Sequence, residues 1–187
     1  MRTYRAYSLN ALWFLIAVNI LVFIVTLVTP GAIPFLWWQP ASFLHQPWTI
    51  ITSLFVHAGW GHIICNMISL YFLGSFLIRL LGEKKFLTTY FLGGITGNIF
   101  FIFPNPSAIG VGASGAIFAL GGALAIMAPR LPVFMFFIPI PVPLWIAIIV
   151  FLLISFVPGI AWQAHLGGLL LGLAAGYHFK RRRTYFY

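Results

Sequence analysis

Residues 160–183 read IAWQAHLGGLLLGLAAGYHFKRRR. As far as His178 the run is long, apolar and free of acids, close to the ~20 residues that a bilayer-spanning helix needs. It then meets Lys180, Arg181, Arg182 and Arg183, the kind of basic cluster that marks a cytoplasmic end. One turn into the run stands His165. Gly168, Gly172 and Gly176 follow it at i+3, i+7 and i+11, on the same helical face. They form two overlapping small-xxx-small patterns, which let helices approach closely in a membrane. The face that carries an ionisable side chain is therefore the face that packs against a neighbour.

The rest of the chain is of the same kind. Of its 187 residues 62% are hydrophobic and 6% charged, whereas a soluble domain has roughly a quarter of its residues charged. Such a chain cannot clothe a water-facing surface. Hydropathy divides it into six spans: about Leu9 to Val28, His62 to Leu81, Phe86 to Phe103, Ser114 to Ala128, Leu144 to Val157 and Ile160 to His178. No small-residue cleavage site follows the first, so it reads as a retained span rather than a signal peptide. Six spans put all ten Lys and Arg on one side: Arg2 and Arg5, then Arg79, Lys84 and Lys85, then Arg130, then the final cluster. The loops at about 29–61, 104–113 and 158–159 have none. The expected fold is an all-α integral-membrane bundle of six transmembrane helices, a single domain over 1–187 with a long outer loop between spans 1 and 2. Both termini are expected in the cytoplasm. This orientation accounts for the net charge of +9 without a nucleic-acid partner.

Two segments are irregular. Residues 29–61 are apolar but broken by Pro40 and Pro47, which suits short helices lying partly in the outer leaflet. Trp37, Trp38 and Trp48 there fit an interfacial aromatic belt. Pro139, Pro141 and Pro143 lack amide donors and cannot lie inside a helix, so they delay and shorten span 5.

Composition also excludes chemistry. Glu83 is the only acidic residue. That leaves no aspartic dyad, no His-Glu-x-x-His zinc helix and no Ser-His-Asp triad. A proton pump that relays through buried carboxylates is not expected either. Cys65 stands alone, so no internal disulfide forms. Neither a metal nor a cofactor is expected.

What remains is Ser114, in Gly110-Val111-Gly112-Ala113-Ser114-Gly115. The glycines allow a tight turn and close backbone approach, and Ser114 opens span 4. A helix start offers unpaired N–H groups and a positive dipole end, a natural oxyanion holder. Span 4 is about 22 Å long at 1.5 Å per residue, against a hydrocarbon core of about 30 Å. With the inner end of span 4 at the cytoplasmic interface, Ser114 is expected several ångströms below the outer surface, at a depth similar to His165. Span 4 also carries Gly115, Ala119, Gly122 and Ala123; if it pairs with span 6, the hydroxyl and the imidazole meet. His62 and Asn66 share a face at the outer end of span 2 and can add oxyanion donors. Phe118, one turn below Ser114, can pack on the imidazole in place of an absent aspartate. Taken singly these are a capping serine, an interhelical histidine and polar glue between helices. Their convergence at the outer ends of spans 4, 6 and 2 points to a Ser–His dyad. His45, His57 and His178 read as interfacial or structural.

These residues, in this order, resemble the rhomboid family of intramembrane serine proteases. The likeness runs from about Gln46 to Gly176. It includes Gln46-Pro47-Trp48 through Phe55-Val56-His57, then His62-x-x-x-Asn66, Gly112-x-Ser114-Gly115 and Ala164-His165-x-Gly167-Gly168. The resemblance implies Ser114 as nucleophile and His165 as general base, with the Ser114 backbone, His62, Asn66 and Gly112 around the oxyanion. Gly115, Gly168 and Phe118 are supporting residues. It implies transmembrane protein substrates, cleaved near the outer side of the bilayer, and a gate formed by span 5 and the outer loops. A minimal six-span form implies the plasma membrane of a prokaryote. Two positions depart from the pattern. Thr49 stands where many members carry an arginine that supports the loop, and Phe118 where many carry tyrosine. The alternative reading is a non-catalytic rhomboid-like scaffold, although such relatives lack the serine or the histidine. A transporter is disfavoured because the polar groups cluster on the outer side alone.

Overall fold

The computed structural model describes residues 7–102, 106–135 and 138–183. Arg2, Arg5 and the Phe103-Pro104 end expected for span 3 lie outside the described residues, as do the side chains of Arg182 and Arg183. In chain order the helices are α1 (Asn10–Val28), α2 (Thr49–Thr52), α3 (Trp60–Leu81), α4 (Glu83–Phe100), α5 (Ser114–Met127), α6 (Leu144–Ile154) and α7 (Trp162–Arg183). By length and composition α1 and α3 are each able to cross a bilayer, and α5 and α6 are shorter apolar helices.

Helix α5 is the hub. Nine of its 14 residues are buried, and it packs against α3, α4, α6 and α7. Leu120 and Leu124 share one core with Leu12 of α1, Leu70 and Leu77 of α3, Phe86 and Tyr90 of α4, and Leu144 of α6. The outward faces stay apolar: Phe14, Leu21 and Val28 of α1, Phe72 of α3 and Leu153 of α6 are all exposed. Between α5 and α7 the packing is backbone on backbone. A Cβ at Gly168 would overlap the Gly115 carbonyl, and one at Gly172 the Ala119 carbonyl. Small residues let the two helices lock by van der Waals contact, the main attraction available between helices in lipid.

The boundaries differ from those expected in physically legible ways. Gly82, at φ 83°, ends α3 and lets α4 begin at Glu83 rather than Phe86. The Glu83 carboxylate then accepts bonds from the Ser8 hydroxyl at 3.2 Å and the Ala11 amide at 2.9 Å. A negative charge at the first turn of α1 complements its dipole. Helix α6 stops at Ile154 rather than Val157, because Pro158 disfavours helix in the residue before it and Gly159 turns the chain at φ 92°. Helix α7 continues past His178 into the basic cluster. The proline run does delay α6, but it does so as an antiparallel hairpin that was not expected: β1 (Pro132–Met135) pairs with β2 (Ile138–Pro143).

The loop between α1 and α3 has the short helices expected of it: 3-10 turns at Pro30–Phe35, Pro40–Ser42 and Ser53–Phe55 flank α2. One expectation fails. Trp38 is not an interfacial residue; it is 1% exposed. Its indole N–H donates to the Asn98 carbonyl at 2.9 Å, and its backbone exchanges two hydrogen bonds with Gly110. A buried indole N–H needs a partner, and α4 supplies it. Trp48, by contrast, is half exposed, with its N–H on the Phe35 carbonyl. Thr49 is buried, and its hydroxyl donates to the Gln46 carbonyl at 2.6 Å. The loop is thus closed at this point by threonine.

Candidate active site

Ser114 is the first residue of α5, so its side chain stands at a helix start below a turn made by Gly112. Gly112 has φ 116°, which only glycine adopts at little cost. A Cβ there would lie 2.6 Å from His62 Nε2. The missing side chain is what lets the imidazole come up against the turn. The same turn is fixed from outside by the Gly112 amide on the Ser53 carbonyl at 2.9 Å and by the Trp38–Gly110 bridge. Asn98 completes the frame, donating to the Ile50 carbonyl at 2.8 Å and the Ser53 hydroxyl at 2.9 Å.

His165 approaches from α7. Its Nε2 is 2.7 Å from Ser114 Oγ, and the side chain is 8% exposed. Phe118 lies flat against the imidazole, with centroids 4.5 Å apart and planes at 20°. The ring therefore has a floor as well as a partner. The close α5–α7 contact at Gly168 sits one helical turn from His165 and one residue from Ser114, which sets the distance between the two side chains.

His62 is oriented too. Its Nδ1 accepts the Ala58 amide at 3.4 Å, so a neutral ring carries its proton on Nε2, the nitrogen beside Gly112. The Asn66 amide donates to the His62 carbonyl at 2.8 Å; a carboxamide nitrogen has a second hydrogen to give. Of the two readings, interfacial or structural, buried His57 takes the structural one. Its ring is 5.0 Å from that of His62, and its Nδ1 bonds the Phe55 carbonyl at 3.2 Å. Burial above all, with His62 adding to it, lowers its pKa to about 4. His45 and His178 are exposed. Among the described residues no cluster of His, Cys, Asp and Glu fit to hold a metal is found. A cavity of about 20 Å³ adjoins Ser114 between Gly112, Asn98 and Ala164, room for about one water.

Sequence reading missed Ser155. This residue follows α6, is 2% exposed, and has its Oγ 2.6 Å from His165 Nδ1. The available signal was a lone serine in the apolar run 144–157. It also missed Trp38, Asn98 and Ser53, which frame the Ser114 turn.

Comparisons with known proteins bear on the family of the chain. A family model for the Rhomboid domain matches residues 44–182. RHOMBOID-like protein 1 of Arabidopsis thaliana is 32% identical over 144 residues, covering 76% of this chain and 37% of its own length. The rhomboid protease GluP of Bacillus subtilis is 37% identical over 131 residues, 68% of this chain and 25% of its own. The putative rhomboid protease YdcA of the same organism is 41% identical over 81 residues, 43% of this chain and 41% of its own. The chain thus spans well under half the length of these relatives. With the family model covering most of its residues, the chain belongs to the rhomboid family.

Proposed function

We propose that the protein is an intramembrane serine endopeptidase that cleaves transmembrane protein segments near the outer side of the bilayer. The observation that carries this reading is the 2.7 Å contact between Ser114 Oγ and His165 Nε2, within the range for a nucleophile and its base. Six spans hold the site, as a single domain with both termini in the cytoplasm, in the plasma membrane of a prokaryote.

Ser114 attacks the scissile carbonyl while His165 takes its proton at Nε2. The oxyanion of the tetrahedral intermediate is held by the Ser114 amide at the start of α5, by the N–H of His62 and by Asn66. His165 returns the proton to the leaving amine, and water hydrolyses the acyl-enzyme. The substrate must unwind first, because a stable helix keeps its carbonyls in backbone hydrogen bonds. Segments with Gly, Pro or small residues near the outer interface are the expected substrates.

The test is acylation by a fluorophosphonate, read by intact mass and peptide mapping, beside cleavage of a transmembrane substrate in liposomes. Label at Ser114 that Ser114→Ala and His165→Ala both abolish is the expected result. If Ser114 stays unlabelled while a control hydrolase reacts, and liposomes show no cleavage, the protein is a scaffold. Substrate cleavage that persists when the scissile region is embedded in a stable leucine helix would refute the unwinding requirement.

A further inference from the structure

We propose that Ser155 is a positioning residue that fixes the tautomer of His165 and so makes it a base; this rests on reading Ser114 and His165 as the reacting pair. Ser155 Oγ lies 2.7 Å from the Phe151 carbonyl oxygen and 2.6 Å from His165 Nδ1. A serine hydroxyl has one proton to donate and two lone pairs to offer. The carbonyl has no proton, so the first contact is a hydrogen bond only if Ser155 donates there. The second is then a bond only if His165 donates from Nδ1. A neutral imidazole protonated at Nδ1 has its lone pair on Nε2, which faces the Ser114 hydroxyl at 2.7 Å. The chain therefore runs one way: Ser114 O–H to Nε2, Nδ1–H to Ser155 Oγ, Ser155 O–H to the Phe151 carbonyl.

The opposite tautomer would place N–H against Ser114 and leave it without a base. In proteases with an acid, an aspartate excludes that state. Here the only acid in the chain, Glu83, holds the start of α1 instead. When the Ser114 proton moves to Nε2, the imidazolium keeps its Nδ1–H on Ser155. That oxygen is polarised by its own bond to the carbonyl, since hydrogen bonds in a chain reinforce one another. The carbonyl belongs to the last turn of α6, whose dipole presents partial negative charge at this end. At 2% exposure Ser155 has no competing solvent. A hydroxyl and a helix end thus supply the orientation, and part of the charge, that a carboxylate supplies elsewhere.

Two variants of equal shape separate the hydroxyl from its packing: Ser155→Thr keeps the chain and Ser155→Val removes it. In the full protein in liposomes, Ser155→Val should lower kcat about 10-fold or more with KM within twofold, and Ser155→Thr should restore kcat to within about threefold. Equal losses in Thr and Val, or a Val variant within twofold of wild type, overturn the proposal. The activity-free readout is nitrogen NMR of the ¹⁵N-histidine-labelled protein at neutral pH, with the His165 signal assigned by its loss in His165→Gln. The Nδ1–H tautomer is expected in wild type and Ser155→Thr, and a mixed population in Ser155→Val. An Nε2–H tautomer in wild type refutes the relay directly. A relay present in the spectrum of a protein that cleaves nothing would sink the protease reading alone.

Discussion

The sharpest test of how the fold sets its chemistry is Gly168→Ala. A Cβ at this position would overlap the carbonyl of Gly115. The obstacle is backbone, so no side chain can swing aside, and α5 and α7 must separate by about 1 Å or more. The separation falls where it matters: Gly115 is next to Ser114, and Gly168 is one turn from His165. The 2.7 Å contact between them would then stretch towards or beyond the ~3.5 Å at which a hydrogen bond is lost. A misplacement of about 1 Å costs on the order of 100-fold in rate, equivalent to about 2.7 kcal/mol of transition-state stabilisation. Overpacking should also lower stability by about 1–3 kcal/mol.

The control is Gly176→Ala. Its Cβ would meet the Ala123 carbonyl at 2.6 Å, so it should destabilise to a similar degree. It sits eight residues further along α7, about 12 Å from Gly168. Turnover per folded molecule should therefore stay within about threefold of wild type. The assay is substrate cleavage in liposomes, normalised to folded protein by thermal unfolding. Equal activity losses in the two variants would show that the stripe acts only through stability, and the reasoning would fail. So would a Gly168→Ala protein that cleaves within threefold of wild type.

Two further outcomes follow from the outer loop. Because burial and the neighbouring His62 hold His57 at a pKa of about 4, against about 6.5 when unfolded, the unfolded state binds more protons between these values; stability is full above about pH 6.5 and falls as pH drops towards 4, by at most about 3 kcal/mol. His57→Asn keeps a donor near Nδ1 and should show a shallower loss of thermal stability from pH 7 to pH 4.5; slopes identical to wild type would rule His57 out. Trp38→Phe should cost about 1–3 kcal/mol, since it leaves the Asn98 carbonyl without the indole N–H and opens space in a packed site; limited proteolysis should then cut the 29–61 loop sooner, and an unchanged cutting rate would mean that the Trp38–Gly110 bridge alone holds it.

Most of the helical plan is legible in the sequence because a membrane restricts the alphabet. Lipid-facing segments must be apolar, so the breaks between them stand out, as at Pro30-Gly31 and Gly82. The rare polar side chains inside them, such as Ser114, His165 and Asn66, stand out equally. The α5–α7 pairing is legible for a related reason: a stripe such as Gly168, Gly172 and Gly176 has no use on a lipid face. The aromatic residues mislead, because tryptophan serves both at an interface and inside a core. Trp38 and Trp48 both stand in apolar sequence beside a proline and a glutamine, and the partners of their N–H groups, Asn98 sixty residues away and Phe35 close by, tell them apart. The hairpin at 132–143 was hidden because three prolines exclude a helix without stating what replaces it.

Ser155 shows a different limit. Hydropathy averages a single serine away, and a hydroxyl in an apolar helix can satisfy itself on the carbonyl four residues back, as Ser155 does with Phe151. Its proposed role rests on the lone pairs left over after that bond, and whether anything uses them depends on which helix lies opposite. A sequence can therefore point to candidates for the reacting groups, because these belong to a short list of residue types. The group that decides which nitrogen of the base carries the proton can be any hydroxyl, carbonyl or amide within reach. In a chain with one acid, held at the far end of the bundle on α1, the proposed relay gives that choice to a residue that looks like part of the wall.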